Sequence, residues 1–213
     1  MIRASVHNTT QLFFPQEANS QNPVVNFRLR EFECISLLKK CDSLEELRQV
    51  HGQILKLGLF WSHPFRASNL VATCALSEWG SMEYASWIFR RIDEPVTFDY
   101  NVMARGHVKD LNFEAGLNLF EEMLVGGVVP DNFTYPPTLK ACAGLSLLDE
   151  GMQIHGQVLK LGYHHDLFVQ NSLINMYGKS GKIRDSCAVF QQMGLRSVAS
   201  WSSLIAAHVH SGI

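Results

Sequence analysis

Long apolar runs, cysteine pairs and a surplus of charge of either sign are all missing from this chain of 213 residues. No stretch approaches about 18 consecutive apolar residues, so a membrane-spanning helix is not expected. Lys+Arg number 18 and Asp+Glu 20, for a formal net charge of −2 and a pI near 6.5. That argues against binding through a massive basic surface but leaves room for a local basic patch. The five cysteines, Cys34, Cys41, Cys74, Cys142 and Cys187, are odd in number, widely spaced and without a C-x-x-C pair. They read as reduced, buried small hydrophobes, not as a disulfide framework or a zinc site. Catalytic signatures are missing too. There is no H-x-E with a downstream P-C-x-x-C, no phosphate-cradling glycine loop and no Ser/His/Asp order in phase. His164-His165 is an adjacent loop pair, and His208-Val209-His210 sends its imidazoles to opposite sides of a helix, so neither is a metal cluster. No catalytic residue, metal or cofactor is expected.

What is present is a core-forming composition, 46% apolar and 18% charged. Residues 1–30 stand apart from it. They carry Arg3, Arg28 and Arg30 against a single acid, Glu17, and are rich in Ser, Thr, Asn and Gln. An acid-poor, hydroxyl-rich, Arg-bearing leader has the composition of an organelle transit peptide. A frayed N-terminus fits as well, and composition leaves both readings open.

The rest of the chain repeats itself. Leu38-Lys39-Lys40-Cys41 returns as Leu139-Lys140-Ala141-Cys142, and Tyr100 to Val108 returns as Trp201 to Val209, each 101 residues on. His51 to Gly58 returns as His155 to Gly162 with seven of eight residues identical, at an offset of 104 that later shrinks back to 101. Compensating changes of that kind belong in loops between fixed helices. A shorter period lies inside: Phe98, Phe133 and Phe168 stand 35 apart and the next equivalent, Ala199, follows 31 on.

Each piece holds two amphipathic stretches. In residues 97–131 the second stretch runs Phe113, Gly116, Leu119, Phe120, Met123 and Leu124 at helical spacing. Asp110-Leu111-Asn112 makes the turn before it, and Gly126-Gly127 with Pro130 ends it. Neither helix buries its apolar stripe alone, whereas stacking successive hairpins does. The fold expected is all-α, a solenoid of helix-turn-helix repeats.

These segments, with Pro130-Asp131 closing a 35-residue unit and Asn171-Ser172-Leu173-Ile174-Asn175-Met176-Tyr177-Gly178, resemble the plant pentatricopeptide-repeat proteins of the P-L-S subclass. The resemblance covers residues 31–213 and implies a right-handed superhelix. Its units are 31–65 (L), 66–96 (S), 97–131 (P), 132–166 (L), 167–197 (S) and a partial P over 198–213. It also implies the N-terminal part of a longer RNA-editing-type protein, or a truncated member. The partners implied are single-stranded organellar RNA, in chloroplast or mitochondrion, and editing-complex proteins, with no membrane and no DNA. Family members read one base per repeat, through the fifth and the last residue of the unit. By that correspondence Asn101 with Asp131 is the combination for uracil, and Asn171 with Ser197 leans toward cytosine. Ser202 has no partner, and Phe98, Phe133 and Phe168 are the stacking positions. Ile35, Leu70, Val96 and Pro136 depart from the code. Long members often end in a cytidine deaminase, and its zinc signature is not in this chain.

On residue chemistry alone two readings stay open at each position. The phenylalanines serve either as core between hairpins or as base platforms. The asparagines serve as first-turn polar residues or as pyrimidine readers, and Asp131 as a turn cap or as the group that orients an amide. Two rivals to RNA binding are also open. One is a protein-binding solenoid of tetratricopeptide type, which shares the Ala/Phe helix positions. The other is a truncated product without independent function.

Overall fold

The apolar periods condense into helices whose starts are set by short polar side chains. The computed structural model describes residues 32–212, apart from residue 63 and the side chains of 62–66. The leader and its transit-peptide reading, residue 31 and Ile213 lie outside the described residues. In chain order the helices are α1 (32–38), α2 (Leu44–Lys56), the single turn α3 (Leu59–Ser62), α4 (Pro64–Leu76), α5 (Met82–Phe89), α6 (Thr97–Lys109) and α7 (Phe113–Val125). They continue as α8 (Tyr135–Leu145), α9 (Leu148–Lys160), a 3-10 turn (Tyr163–His165), α10 (Leu167–Lys179), α11 (Ile183–Gln192) and α12 (Val198–His210). Among the described residues there is no strand, so the chain is all-α as expected.

Caps decide where the helices begin. Side chains of Ser43, Ser81, Asn112, Asp166 and Ser197 each accept a backbone N–H in the first turn of α2, α5, α7, α10 and α12. The three hairpin turns after α6, α8 and α10 share one backbone device. Leu111 (φ 61°), Ser146 (φ 59°) and Gly181 (φ 71°) stand 35 residues apart, and all are left-handed. Glycine takes that conformation freely, whereas Leu111 and Ser146 hold it against a penalty of about 1–2 kcal/mol. The packed helices on either side fix the turn.

First helices α4, α6, α8, α10 and α12 lie side by side in one layer. Each second helix seats between two of them: α5 between α4 and α6, α7 between α6 and α8, α9 between α8 and α10, α11 between α10 and α12. The core is an elongated strip, not a ball. One cluster runs from Cys34 to Met123 and the next from Phe120 to Met193, so the two meet on α7. Where first helices approach closely, small residues are required. A Cβ on Gly178 of α10 would stand 2.4 Å from Ala207 Cβ of α12. Cys34, Cys74 and Cys142 are buried and none of the five cysteines forms a disulfide among the described residues; burial pushes the Cys142 thiol up to about 11, so it stays protonated.

The histidines of the repeated segment are structural. His51 Nδ1 lies 2.8 Å from Tyr84 Oη, and His155 Nδ1 lies 2.9 Å from Tyr177 Oη. Burial raises both phenols, and each hydroxyl shares a hydrogen bond with the Nδ1 of its imidazole. Tyr84 comes from the second helix of the following hairpin and Tyr177 from the first helix, so only the histidine obeys the repeat.

Two consequences are measurable. Gly178→Ala, which in an open helix would gain up to about 1 kcal/mol, should cost about 1–3 kcal/mol by overpacking against α12; a shift of the urea midpoint to higher denaturant would contradict the packing described. Burial also lowers both imidazoles below 6.5, with Arg91 adding to the effect at His51 and Asp185 opposing it at His155. The unfolded chain then binds more protons, so this stability is complete above pH of about 6.5 and is lost as pH falls through the folded values. Thermal unfolding between pH of about 7.5 and about 5.5 should show that loss, and the His51→Gln/His155→Gln variant should show a shallower one.

Candidate nucleic-acid interface

A first helix of this array shows one face outward, at i, i+3 and i+7. On α6 the corresponding residues are Phe98, Asn101 and Arg105, of which Phe98 and Arg105 are exposed and Asn101 is covered to 6% exposure. At and just before α8 they are Phe133, Pro136 and Lys140, and on α10 they are Phe168, Asn171 and Asn175. Each set lies 35 residues from the last. Because α6, α8 and α10 are held side by side, the stripes line up across a groove of about 690 Å³ whose walls include Arg105, Phe133, Lys140, Phe168, Asn171 and Asn175. Phe98 is 48% exposed, Phe133 59% and Phe168 68%. That exposure excludes the core-packing reading for all three rings. Core between the hairpins comes from other residues, such as Tyr100 and Tyr135.

Asn101 and Asp131, 30 residues apart, are joined directly: Asn101 Nδ2 donates to Asp131 Oδ1 at 2.8 Å. A carboxylate only accepts, so the amide is forced to turn its NH₂ toward Asp131 and its carbonyl away. That carbonyl, Asn101 Oδ1, is buried and has no hydrogen-bond partner among the described residues. Asp131 Oδ1 at the same time accepts the N–H groups of Phe133 at 2.9 Å and Thr134 at 3.1 Å, and the Thr134 hydroxyl at 3.1 Å. Cap and orienter are therefore one carboxylate doing both tasks, not two alternatives.

The second pair is built differently. Asn171 lines the groove and its Oδ1 also lacks a partner. Ser197 spends its hydroxyl on the α12 cap, accepting the Ser200 N–H at 3.3 Å and lying 3.2 Å from the Ser200 hydroxyl. No hydrogen bond joins Asn171 to Ser197 among the described residues. Ser202 sits exposed on α12. Leu70 is fully buried and cannot face a ligand, whereas Val96 is half-exposed at the start of α6.

Several residues with a place in this geometry escaped the sequence reading. In the unit with Pro136 at its fifth position, Asn132 Nδ2 donates to Asp166 Oδ2 at 2.9 Å, while Asp166 Oδ1 caps α10 through the N–H groups of Phe168 and Val169. Arg105 and Lys140 line the groove, both exposed and without an ion pair or hydrogen bond among the described residues. The 35-residue phase of the phenylalanines, extended by seven positions, would have found Arg105, Lys140 and Asn175. Among the described residues no group of three or more His, Cys, Asp or Glu side chains is placed to hold a metal ion.

Comparisons with known proteins point one way. The profile of the PPR repeat matches residues 98–128 and 171–198. A pentatricopeptide repeat-containing protein of Arabidopsis thaliana is 48% identical over 215 residues, covering 100% of this chain and 35% of its own length. A second from the same plant, named as chloroplastic, is 38% identical over 173 residues, covering 81% of this chain and 23% of its own. The chain thus spans about a third or less of the length of these relatives. Among solved structures, the pentatricopeptide repeat protein PPR10 in complex with an 18-nt RNA element aligns with a TM-score of 0.45 at 16% identity, over 83% of this chain and 32% of that one.

Asp131→Ala removes a turn cap and a charge-assisted bond together, so it should cost about 1–2 kcal/mol of stability. Urea unfolding checks this, and a midpoint equal to that of the parent chain would show that the carboxylate carries no structural load.

Proposed function

From the premise that this chain belongs to the pentatricopeptide-repeat family, we propose that it binds single-stranded RNA along the first-helix groove and reads a pyrimidine through Asn101. The observation that carries this reading is the Asn101–Asp131 bond with the amide oxygen left unpaired. A buried acceptor without a donor is costly, and a ligand that brings one removes the cost once the Asn101 side chain, 6% exposed, turns to meet it. The N3–H of uracil is such a donor, whereas cytosine presents an acceptor at N3. Exposed Phe98 and Phe133 are platforms on either side for the base faces, at about 1–3 kcal/mol per stacked base. Asn171, whose amide is not fixed by an aspartate, discriminates less.

In the same reading the chain is a P-L-S array that places an editing or processing activity on an organellar transcript, in chloroplast or mitochondrion. The acid-poor leader and the chloroplastic relative support that placement. Its own role is binding and not catalysis.

Two reading positions at about 1–3 kcal/mol each give at most roughly 6 kcal/mol before association costs, and millimolar affinity already corresponds to about −4 kcal/mol. The chain of 213 residues should therefore bind weakly. Selection from a randomised single-stranded RNA pool at low salt, with the parent chain and with Asn101→Ala/Asp131→Ala, tests the reading. Enrichment of uracil at one position should appear with the parent and vanish with the variant. The same featureless pool from both would refute base reading at this unit.

A further inference from the structure

The net charge of −2 hides a separation of charge between the two helix layers. Among the residues whose side chains are described, first helices α1, α4, α6, α8, α10 and α12 carry four cations, Arg105, Lys109, Lys140 and Lys179, against two acids, Glu33 and Asp99. Asp99 is buried at 1% exposure, and the backbone N–H of Val96 donates to it at 2.9 Å, so it contributes little to the outer face. Second helices α2, α5, α7, α9 and α11 carry nine acids against four cations. A polyanion meeting this molecule is drawn to the first-helix face and turned away from the other.

Within that face the cations do not all have the same freedom. Lys109 Nζ donates to the carbonyls of Ser77 at 2.8 Å and Leu76 at 3.3 Å, closing the C-terminal end of α4. Arg105 and Lys140 are exposed, make no such bond among the described residues, and line the groove that holds Phe133 and Phe168. They stand one repeat apart, two turns along their stripes from the phenylalanines, at the other edge of the same cleft. Rings at one edge and cations at the other suit a single strand, with bases on one side and phosphates on the other.

Resting on the RNA reading above, we infer that Arg105 and Lys140 form a track for the sugar-phosphate backbone, one cation per repeat. They hold the strand in register while the Asn101 unit reads a base. Asn175, at the same phase on α10, extends the track as a neutral hydrogen-bond donor and marks where its charge ends. Phosphate contacts position a strand and do not specify sequence, so the two sets of residues separate experimentally.

The test measures binding of an oligouridylate to the full chain across a salt series, beginning at low salt. Each phosphate neutralised on a single strand contributes a slope of about −0.7 in log K against log salt. Arg105→Ala/Lys140→Ala should therefore flatten the slope by about 1.4 while keeping the preference for oligouridylate over oligoadenylate. Arg105→Lys/Lys140→Arg should restore the slope, and Lys160→Ala/Arg184→Ala, cations of the second helices, should leave it unchanged. Asn101→Ala should do the reverse, losing preference at unchanged slope. Circular dichroism identifies any variant that has failed to fold, and the charge-swapped pair covers that case. An unchanged slope in the alanine pair, with the parent chain binding, overturns the track and leaves the RNA reading standing. A parent chain that binds neither oligomer at any salt overturns both.

Discussion

Each second helix in this molecule has to seat between two first helices, because its apolar stripe is too wide for one partner to cover. The seating of α7 shows the consequence. Met123 faces the core shared by α4 to α6, and Phe120, less than one turn away, faces the core shared by α8 to α10. A helix wedged in this way sets the spacing and rotation of the two it separates. Any residue at a given phase of one first helix then comes into line with its counterpart on the next. The groove follows from this: Phe98, Phe133 and Phe168 form a row because α5, α7, α9 and α11 hold their helices to one pitch. The glycine at 178 belongs to the same constraint, since α10 and α12 meet at a distance that admits no Cβ.

Asp131 shows how the proposed base reading is laid over a structural task. Its Oδ1 closes the turn into α8 whether or not a base is present, and the same oxygen takes the Asn101 amide. The next unit keeps the turn and drops the reader. Asp166 caps α10 in the same way, but its amide partner is Asn132 and the fifth position is Pro136, which has no side-chain donor or acceptor. An aspartate at the end of a unit is thus explained by the cap alone. Only an asparagine facing it across the turn, with its second polar atom unspent, turns the cap into part of a site.

The fold was legible in the sequence because its cause is periodic. The 35-residue phase of the phenylalanines, the turn at Asp110-Leu111-Asn112 and the stop at Gly126-Gly127 are local signals, and the helices begin and end at them. Asn101 and Asp131 were paired by the resemblance to the repeat family, whose fifth and last positions they occupy, and residue chemistry alone left both with two readings. The exposure of the phenylalanines was not legible. A ring at helical spacing beside other apolar residues reads equally as core, and only the packing of α6 against α8 shows that Tyr100 and Tyr135 fill the interior while Phe98 and Phe133 stay outside. Nor was the Ser197 hydroxyl legible as a cap already satisfied by Ser200, because that depends on the backbone angle at the start of α12. The tyrosines that partner His51 and His155 lie in different helices of their repeats, so no period could have supplied them.

The distribution of charge between the layers supports the proposed binding of a polyanion by a nearly neutral chain. Seven of the nine acids on the second helices lie in first turns: Glu45 and Glu46, Glu83, Glu114, Asp149 and Glu150, and Asp185. There they meet the positive end of the helix dipole and the unpaired N–H groups, which is stabilising without any ligand. The first helices open with fewer acids, α6 on Asp99, α8 on Asp131, α10 on Asp166 and α12 on Ser197, and place Lys109 and Lys179 in their last turns, where the dipole favours cations. Each choice is a local response to helix electrostatics. Summed over a layered array, however, the choices leave the second-helix layer richer in acids than the first-helix layer, since every second helix lies on one side and every first helix on the other. The field that would guide a strand into the groove is therefore in large part a by-product of how the hairpins are stabilised, and Arg105 and Lys140 are the groove cations that helix stability does not require.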